Sequence, residues 1–133
     1  MSRATLTDEA VLAIEVVIDI ARLGPVKGAD LALRQGLHRR YLERLLYRLA
    51  RKGVIAGVRG RRGGYELARD ATLITASDVV RATGSRPIDK RKARRTPAVR
   101  ELLKQAENQV FTLLDNLTIA SLARRRHRLN ASR

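Results

Sequence analysis

Arg40, Arg44, Tyr47 and Arg51 recur at spacings of 4, 3 and 4, which gathers three guanidinium groups and a phenol on one face of a helix. Such donors recognise phosphate oxygens and the acceptor edges of bases. Arg39 and Tyr41 lie in the first turn of the same helix, with Glu43 on a flank, and a helix about 10 to 12 Å across fits a major groove about 12 Å wide. Further along, Arg59, Arg61 and Arg62 stand among Gly60, Gly63 and Gly64, where glycine permits positive φ and close backbone approach. A Gly-rich basic loop also suggests a nucleotide-phosphate cradle. That motif ends Gly-Lys-Ser/Thr before a helix, whereas here Tyr65-Glu66-Leu67 continues as a strand.

Other chemistries are poorly supplied. The chain has no cysteine, which excludes disulfides, thiolate zinc sites, thiol nucleophiles and all-cysteine iron–sulfur clusters. Its two histidines, His38 and His127, stand far apart in sequence, and neither paired carboxylates nor a nucleophile with its base are identifiable, so no enzyme is expected. No cofactor is expected either. Four aromatic residues, none of them Trp, argue against a single-strand stacking platform.

At 133 residues and a formal net charge of +15, the chain has room for one modest core and is drawn to polyanions. The segment Thr7 to Leu23 is acidic through Asp8, Glu9, Glu15 and Asp19, which marks it as scaffold. The excess cations fall in Arg34 to Lys52, Arg59 to Arg62, Arg86 to Arg100, and the end with Arg124, Arg125, Arg126, Arg128 and Arg133. No apolar run approaches the roughly 20 residues needed to span a bilayer. The start Met1-Ser2-Arg3 lacks a secretory layout, so a cytoplasmic protein without membrane contact is expected.

The elements that position these residues follow from capping and periodicity. A helix runs from Thr7, its cap, to Leu23, stopped by Gly24-Pro25. Its apolar set is too wide for one stripe, which implies burial on more than one side or sharing with a partner chain. A short helix over 28–34, a Gln35-Gly36 turn and a helix over 39–52 make a helix-turn-helix. In the latter Leu42, Leu45, Leu46 and Leu49 fall at i, i+3, i+4 and i+7, opposite the cations. Val54 to Val58 and Tyr65 to Leu67 flank the Gly/Arg tip as a β-hairpin, or wing. A short helix follows over 75–82, capped by Thr75 or Ser77; Ser85 to Arg95 is a Lys/Arg-rich loop. Thr96-Pro97 starts a long helix, in which Val99, Leu103, Ala106, Val110, Leu113 and Leu117 form a heptad seam suited to a second copy, widened by Leu102 and Leu114. Thr118 caps a last short helix. The fold class is therefore mainly α with a small β-hairpin wing: a winged helix-turn-helix domain over 1–84, a basic loop over 85–96, and a dimerisation helix with a basic tail over 97–133.

The order of these elements, with Ala29-Asp30-Leu31-Ala32, Gly36-Leu37, Tyr41-Leu42-Glu43-Arg44-Leu45-Leu46, Leu49-Ala50-Arg51-Lys52-Gly53-Val54, the wing Val58 to Tyr65, and Leu114-Asp115-Asn116-Leu117-Thr118, resembles the Rrf family of bacterial winged-helix regulators. That family includes an iron–sulfur cluster regulator, a nitric-oxide sensor and a cysteine-metabolism regulator. The resemblance implies a homodimer that places each helix over 39–52 in a major groove, and each wing tip in a minor groove, of a partly palindromic operator. It also implies that residues at the positions of Tyr41, Glu43 and Arg59 contact DNA. A carboxylate accepts from cytosine N4, an arginine suits a narrow minor groove, and a tyrosine donates to phosphate. Alternative roles stay open: Glu43 paired to Arg39 or Arg40, Arg59 solvated, Tyr41 packed on the core.

Three departures from the family pattern stand out. Sensor members carry three cysteines in the stretch matching Ser85 to Pro97, where this chain has none, so cluster sensing of that kind is excluded. His38 and Arg40 replace residues that are often small and hydroxylated, which alters base preference or makes His38 a helix cap. The Ser85 to Arg100 stretch is basic, suited to phosphate or to an effector. The expected function is a sequence-specific DNA-binding transcriptional regulator, a repressor rather than an activator, whose partners are double-stranded DNA, a second copy and a small-molecule or protein effector. The competing reading is a general nucleic-acid binder of the nucleoid or ribosome-associated kind.

Overall fold

The computed structural model describes residues 7–84 and 96–131, with side chains as far as residue 125. The expected basic loop of Ser85 to Arg95, and the side chains of Arg126, Arg128 and Arg133, lie outside the described residues.

Helix α1 (Asp8–Leu23) begins where Thr7 Oγ1 accepts the amide of Ala10, 3.3 Å away, and ends at Gly24, whose amide donates to Ile20 O. It is buried on several sides within the chain itself. Helix α2 (Gly28–Gln35) and helix α3 (Arg39–Arg51) follow, then strands β1 (Ile55–Val58) and β2 (Gly64–Leu67), a 3₁₀ turn (Ala71–Leu73), and helix α4 (Ala76–Thr83). Of the two candidate caps for α4 it is Thr75 that serves, in a reciprocal box with Asp78. Helix α5 (Pro97–Asp115) starts at Thr96 with proline in its first turn, and α6 (Ile119–Ala131) is capped by Thr118 Oγ1. At 13 residues α6 is longer than the short last helix expected there.

The core forms around α1, which touches α2, α4, α6 and β2. Val16, Val17 and Ile20 of α1 meet Leu31, the four leucines of α3, Ile55, Ile74, Val79 and Ile119. Burying such side chains stabilises the fold by about 1.5–3 kcal/mol each. The chain returns to this core after α5, because Ala76 N donates to Leu117 O and Ile119 N to Ile74 O, both at 2.8 Å.

Two features that fix the helix-turn-helix and the wing lie outside simple periodicity. Asp19 is almost wholly buried and accepts from Gln35 Nε2 at 2.6 Å and from the Arg34 guanidinium at 3.4 and 3.5 Å. A buried carboxylate needs such partners, and here they clamp the end of α2 to α1. Val26 adds a third edge to the wing: Tyr65 N donates to Val26 O at 2.7 Å, and Val26 N to Tyr65 O at 3.0 Å. Strand β2 is thus paired on both sides, with Ile55 opposite Leu67 and Val58 opposite Gly64 in the hairpin.

That pairing explains Gly64. Its φ is +143°, and an added Cβ would collide with the Val26 backbone. Gly57 of β1 has open space around its Cα. Gly64→Ala should therefore destabilise the protein by about 1–3 kcal/mol, and Gly57→Ala by less than about 0.5 kcal/mol, as measured by urea unfolding.

Candidate nucleic-acid interface

Leu42, Leu45, Leu46 and Leu49 are buried together in the core, which fixes how α3 is rotated about its axis. The opposite face is consequently exposed along its length: Arg40, Arg44, Tyr47 and Arg51 all face solvent, with Tyr47 62% exposed. Arg51 Nη1 donates to Tyr47 Oη at 3.3 Å, joining the last two members. Arg44 makes no hydrogen bond or ion pair among the described residues. An open concavity runs along this face between His38, Arg40, Arg44, Tyr47 and Arg48.

The start of α3 is organised by side chains. His38 Nδ1 accepts the amide of Arg40 at 3.2 Å, so this histidine caps the helix. Arg39 Nε donates to Glu43 Oε1 at 3.1 Å, one turn on. Of the alternatives open for Glu43 in the free protein, the pair with Arg39 is therefore the one formed.

Tyr41 stands at the border between α3 and α1, 36% exposed. Partial burial, and then the Glu9 carboxylate, raise its phenol above the usual tyrosine value, against the opposing pull of Arg48 and Arg44. The phenol is therefore a neutral donor and acceptor at neutral pH. Arg48, which helical spacing left off the cationic face, has a separate task. Its Nη1 donates to Glu9 Oε1 at 3.0 Å and to Thr83 O at 3.3 Å, bracing α3 against the start of α1 and the end of α4. Sequence held no local signal for this, since its partners are 39 and 35 residues away.

Arg59, Arg61 and Arg62 are exposed at the wing tip. The tip turns tightly, with Gly63 N donating to Gly60 O at 3.0 Å, and a Cβ at Gly63 would strike the Val58 carbonyl. Arg62 and Gly63 border a second concavity with Lys27, Asp30 and Arg34. Lys27 was not among the expected site residues; its position directly before Gly28, at the start of α2, was the available signal. On its other side that start lies against α3, where a Cβ on Gly28 would sit 4.0 Å from Glu43 Oε1. The first residues of α2 thus stand between the α3 flank and the wing tip.

The six expected seam positions divide, and the last of them, Leu117, lies past the end of α5 in the link to α6. Val110 and Leu117 pack, with Phe111, against buried Leu114, Ala10, Ala76 and Val80, and the Arg81 guanidinium lies 3.8 Å over the Phe111 ring. Leu103 and Ala106 are half-buried, while Val99, Leu102 and Leu113 are exposed, the two leucines by 61% and 60%. One side of α5 holds it to α4, and the other presents apolar side chains to solvent.

Comparison with known proteins agrees with this architecture. The model of the Rrf2 family, described as iron-dependent transcriptional regulators, matches residues 6–125. The chain is 40% identical over 80 residues to the HTH-type transcriptional regulator IscR of Escherichia coli, covering 58% of this chain and 49% of that protein. It spans about half the length of the curated relatives it matches. Among solved structures, T. potens IscR superposes with a TM-score of 0.74 at 26% identity, covering 92% of this chain and 88% of that one. CymR, the global cysteine regulator of B. subtilis, gives 0.70 at 28% identity, covering 92% and 97%.

The donor set does not fit the iron of that family description. The chain has no cysteine and two histidines; His38 Nδ1 is engaged as a cap, and no group of three His, Asp or Glu side chains comes together among the described residues. No helix among them is long and apolar enough to cross a membrane.

The cations of α3 thus divide into braces and free groups. Arg48→Met should cost about 1 kcal/mol in urea unfolding, the upper range for a half-exposed pair, and Arg44→Met less than about 0.5 kcal/mol.

Proposed function

The chain belongs to the Rrf2 family of transcriptional regulators, and we propose that it is a sequence-specific, DNA-binding repressor that acts in the cytoplasm as a homodimer on a partly palindromic operator. The observation that carries this reading is the free cationic face of α3 beside a basic wing tip, with the start of α2 between them. Inserted in a major groove, that face offers Arg40, Arg44 and Arg51 to phosphates and base edges, with the Tyr41 and Tyr47 hydroxyls as further hydrogen-bonding groups. The wing offers Arg59, Arg61 and Arg62, and a guanidinium in a narrow minor groove is favoured by its deeper negative potential. Lys27 adds a cation between the two.

The exposed side of α5 supports the homodimer. Val99, Leu102 and Leu113 face solvent on a helix of 19 residues, and a second copy of the same helix has the matching apolar residues. Dimers of helix-turn-helix proteins engage half-sites about one helical turn, 34–36 Å, apart. Repression follows from occupying or bending promoter DNA, and any signal reaches this chain by a route other than a thiolate-held cluster.

Selection of bound duplexes from a random pool at about 150 mM salt, where phosphate-only binding is weakened, should enrich an inverted repeat. Recovery of duplexes without a common motif would instead favour a general nucleic-acid binder, the reading that the charge of +15 alone supports. Arg59→Ala should weaken binding to the selected operator and to A·T-rich competitor alike, by about 1–3 kcal/mol each. Leu102→Glu with Leu113→Glu should give a monomer by light scattering; a persisting dimer would remove α5 from the interface. These leucines suit the test better than Val110, which packs on the chain's own core.

A further inference from the structure

Arg39 is the first residue of α3, the end at which a recognition helix reaches base edges. Its guanidinium has one partner among the described residues: Nε donates to Glu43 Oε1 at 3.1 Å. Both side chains are more than half exposed, so the pair contributes little to holding the fold. It does restrict the arginine. A guanidinium tethered through Nε keeps its outer edge, the two terminal nitrogens with one outward N–H each, available to a second partner. The same Glu43 Oε1 faces the start of α2, 4.0 Å from where a Cβ on Gly28 would be. The carboxylate therefore leans between Arg39 and α2.

Guanine presents two major-groove acceptors, O6 and N7, and a guanidinium donating from two nitrogens is their commonest specific partner. A carboxylate that reads cytosine must bring a free oxygen to the N4 amino group. Here Oε1 is held by Arg39, so an approach of Glu43 to a base through that oxygen would loosen the guanidinium, while Oε2 keeps its accepting capacity. We infer that Arg39 and Glu43 form one guanine-reading unit, in which the terminal nitrogens of Arg39 donate to O6 and N7 while Glu43 holds Nε and serves as a positioning residue. This rests on the proposal that α3 enters a major groove. Lysine cannot replace Arg39 in the unit, because it lacks both the Nε donor and the planar fork.

The test uses the full-length protein and its selected operator, with base variants at every half-site position. Arg39→Ala and Glu43→Ala should each lose about tenfold or more of the preference for guanine at the same position. The double variant should discriminate no worse than Arg39→Ala, and Arg39→Lys should not restore the preference. Replacing that guanine by 7-deazaguanine, which removes the N7 acceptor, should weaken wild-type binding and leave Arg39→Ala binding unchanged. If Arg39→Ala keeps the preference, or if 7-deazaguanine is tolerated by the wild type, Arg39 does not read that guanine through O6 and N7. The inference then falls while the regulator reading stands. A wild-type protein that enriches no motif overturns both.

Discussion

The rotation of α3 about its own axis is set by four leucines, and the candidate interface depends on that setting. Leu42, Leu45, Leu46 and Leu49 occupy one stripe and are buried in one core, so the side chains about half a turn away have no choice but to face solvent. Turning the helix would expose leucine and bury guanidinium, each unfavourable on its own. The same constraint places Glu43 beside the start of α2 and sends Arg48 toward Glu9 and the end of α4.

Around α3 the structure supplies clamps at three points. Asp19 holds the end of α2 to α1 through Gln35 and Arg34, Arg48 holds α3 to α1 and α4, and Val26 holds the wing to the α1–α2 junction. None of the three is an apolar contact, and each is directional. Apolar burial fixes which faces meet, while these polar contacts fix how far one element slides against another. For a surface that must match a groove and a neighbouring phosphate backbone at once, that second kind of control matters most.

Much of this was legible from local rules. Thr7, Thr96 and Thr118 act as helix caps, as their spacing from the following apolar runs implies, and Thr75 is the one of two candidates that caps α4. The leucine stripe gave the orientation of α3, and paired β-prone runs around the glycines gave the wing. The features that escaped are those made by residues distant in sequence. Val26 gives no strand signal between Pro25 and a helix, yet it pairs with Tyr65. Asp19 reads as one more acidic residue on a scaffold helix until α2 closes over it. In α5 the heptad spacing marks an apolar helix correctly but does not separate the side that meets α4 from the side left open. Leu114, in the widened margin of that seam, is the buried residue.

The most direct test of the account is guanine-N7 methylation interference on a duplex selected by the protein, since that modification blocks an acceptor found only in the major groove. Entry of α3 into the groove predicts interference in two clusters about one helical turn apart. Binding that is indifferent to N7 methylation throughout the site, and sensitive only to salt, would contradict it.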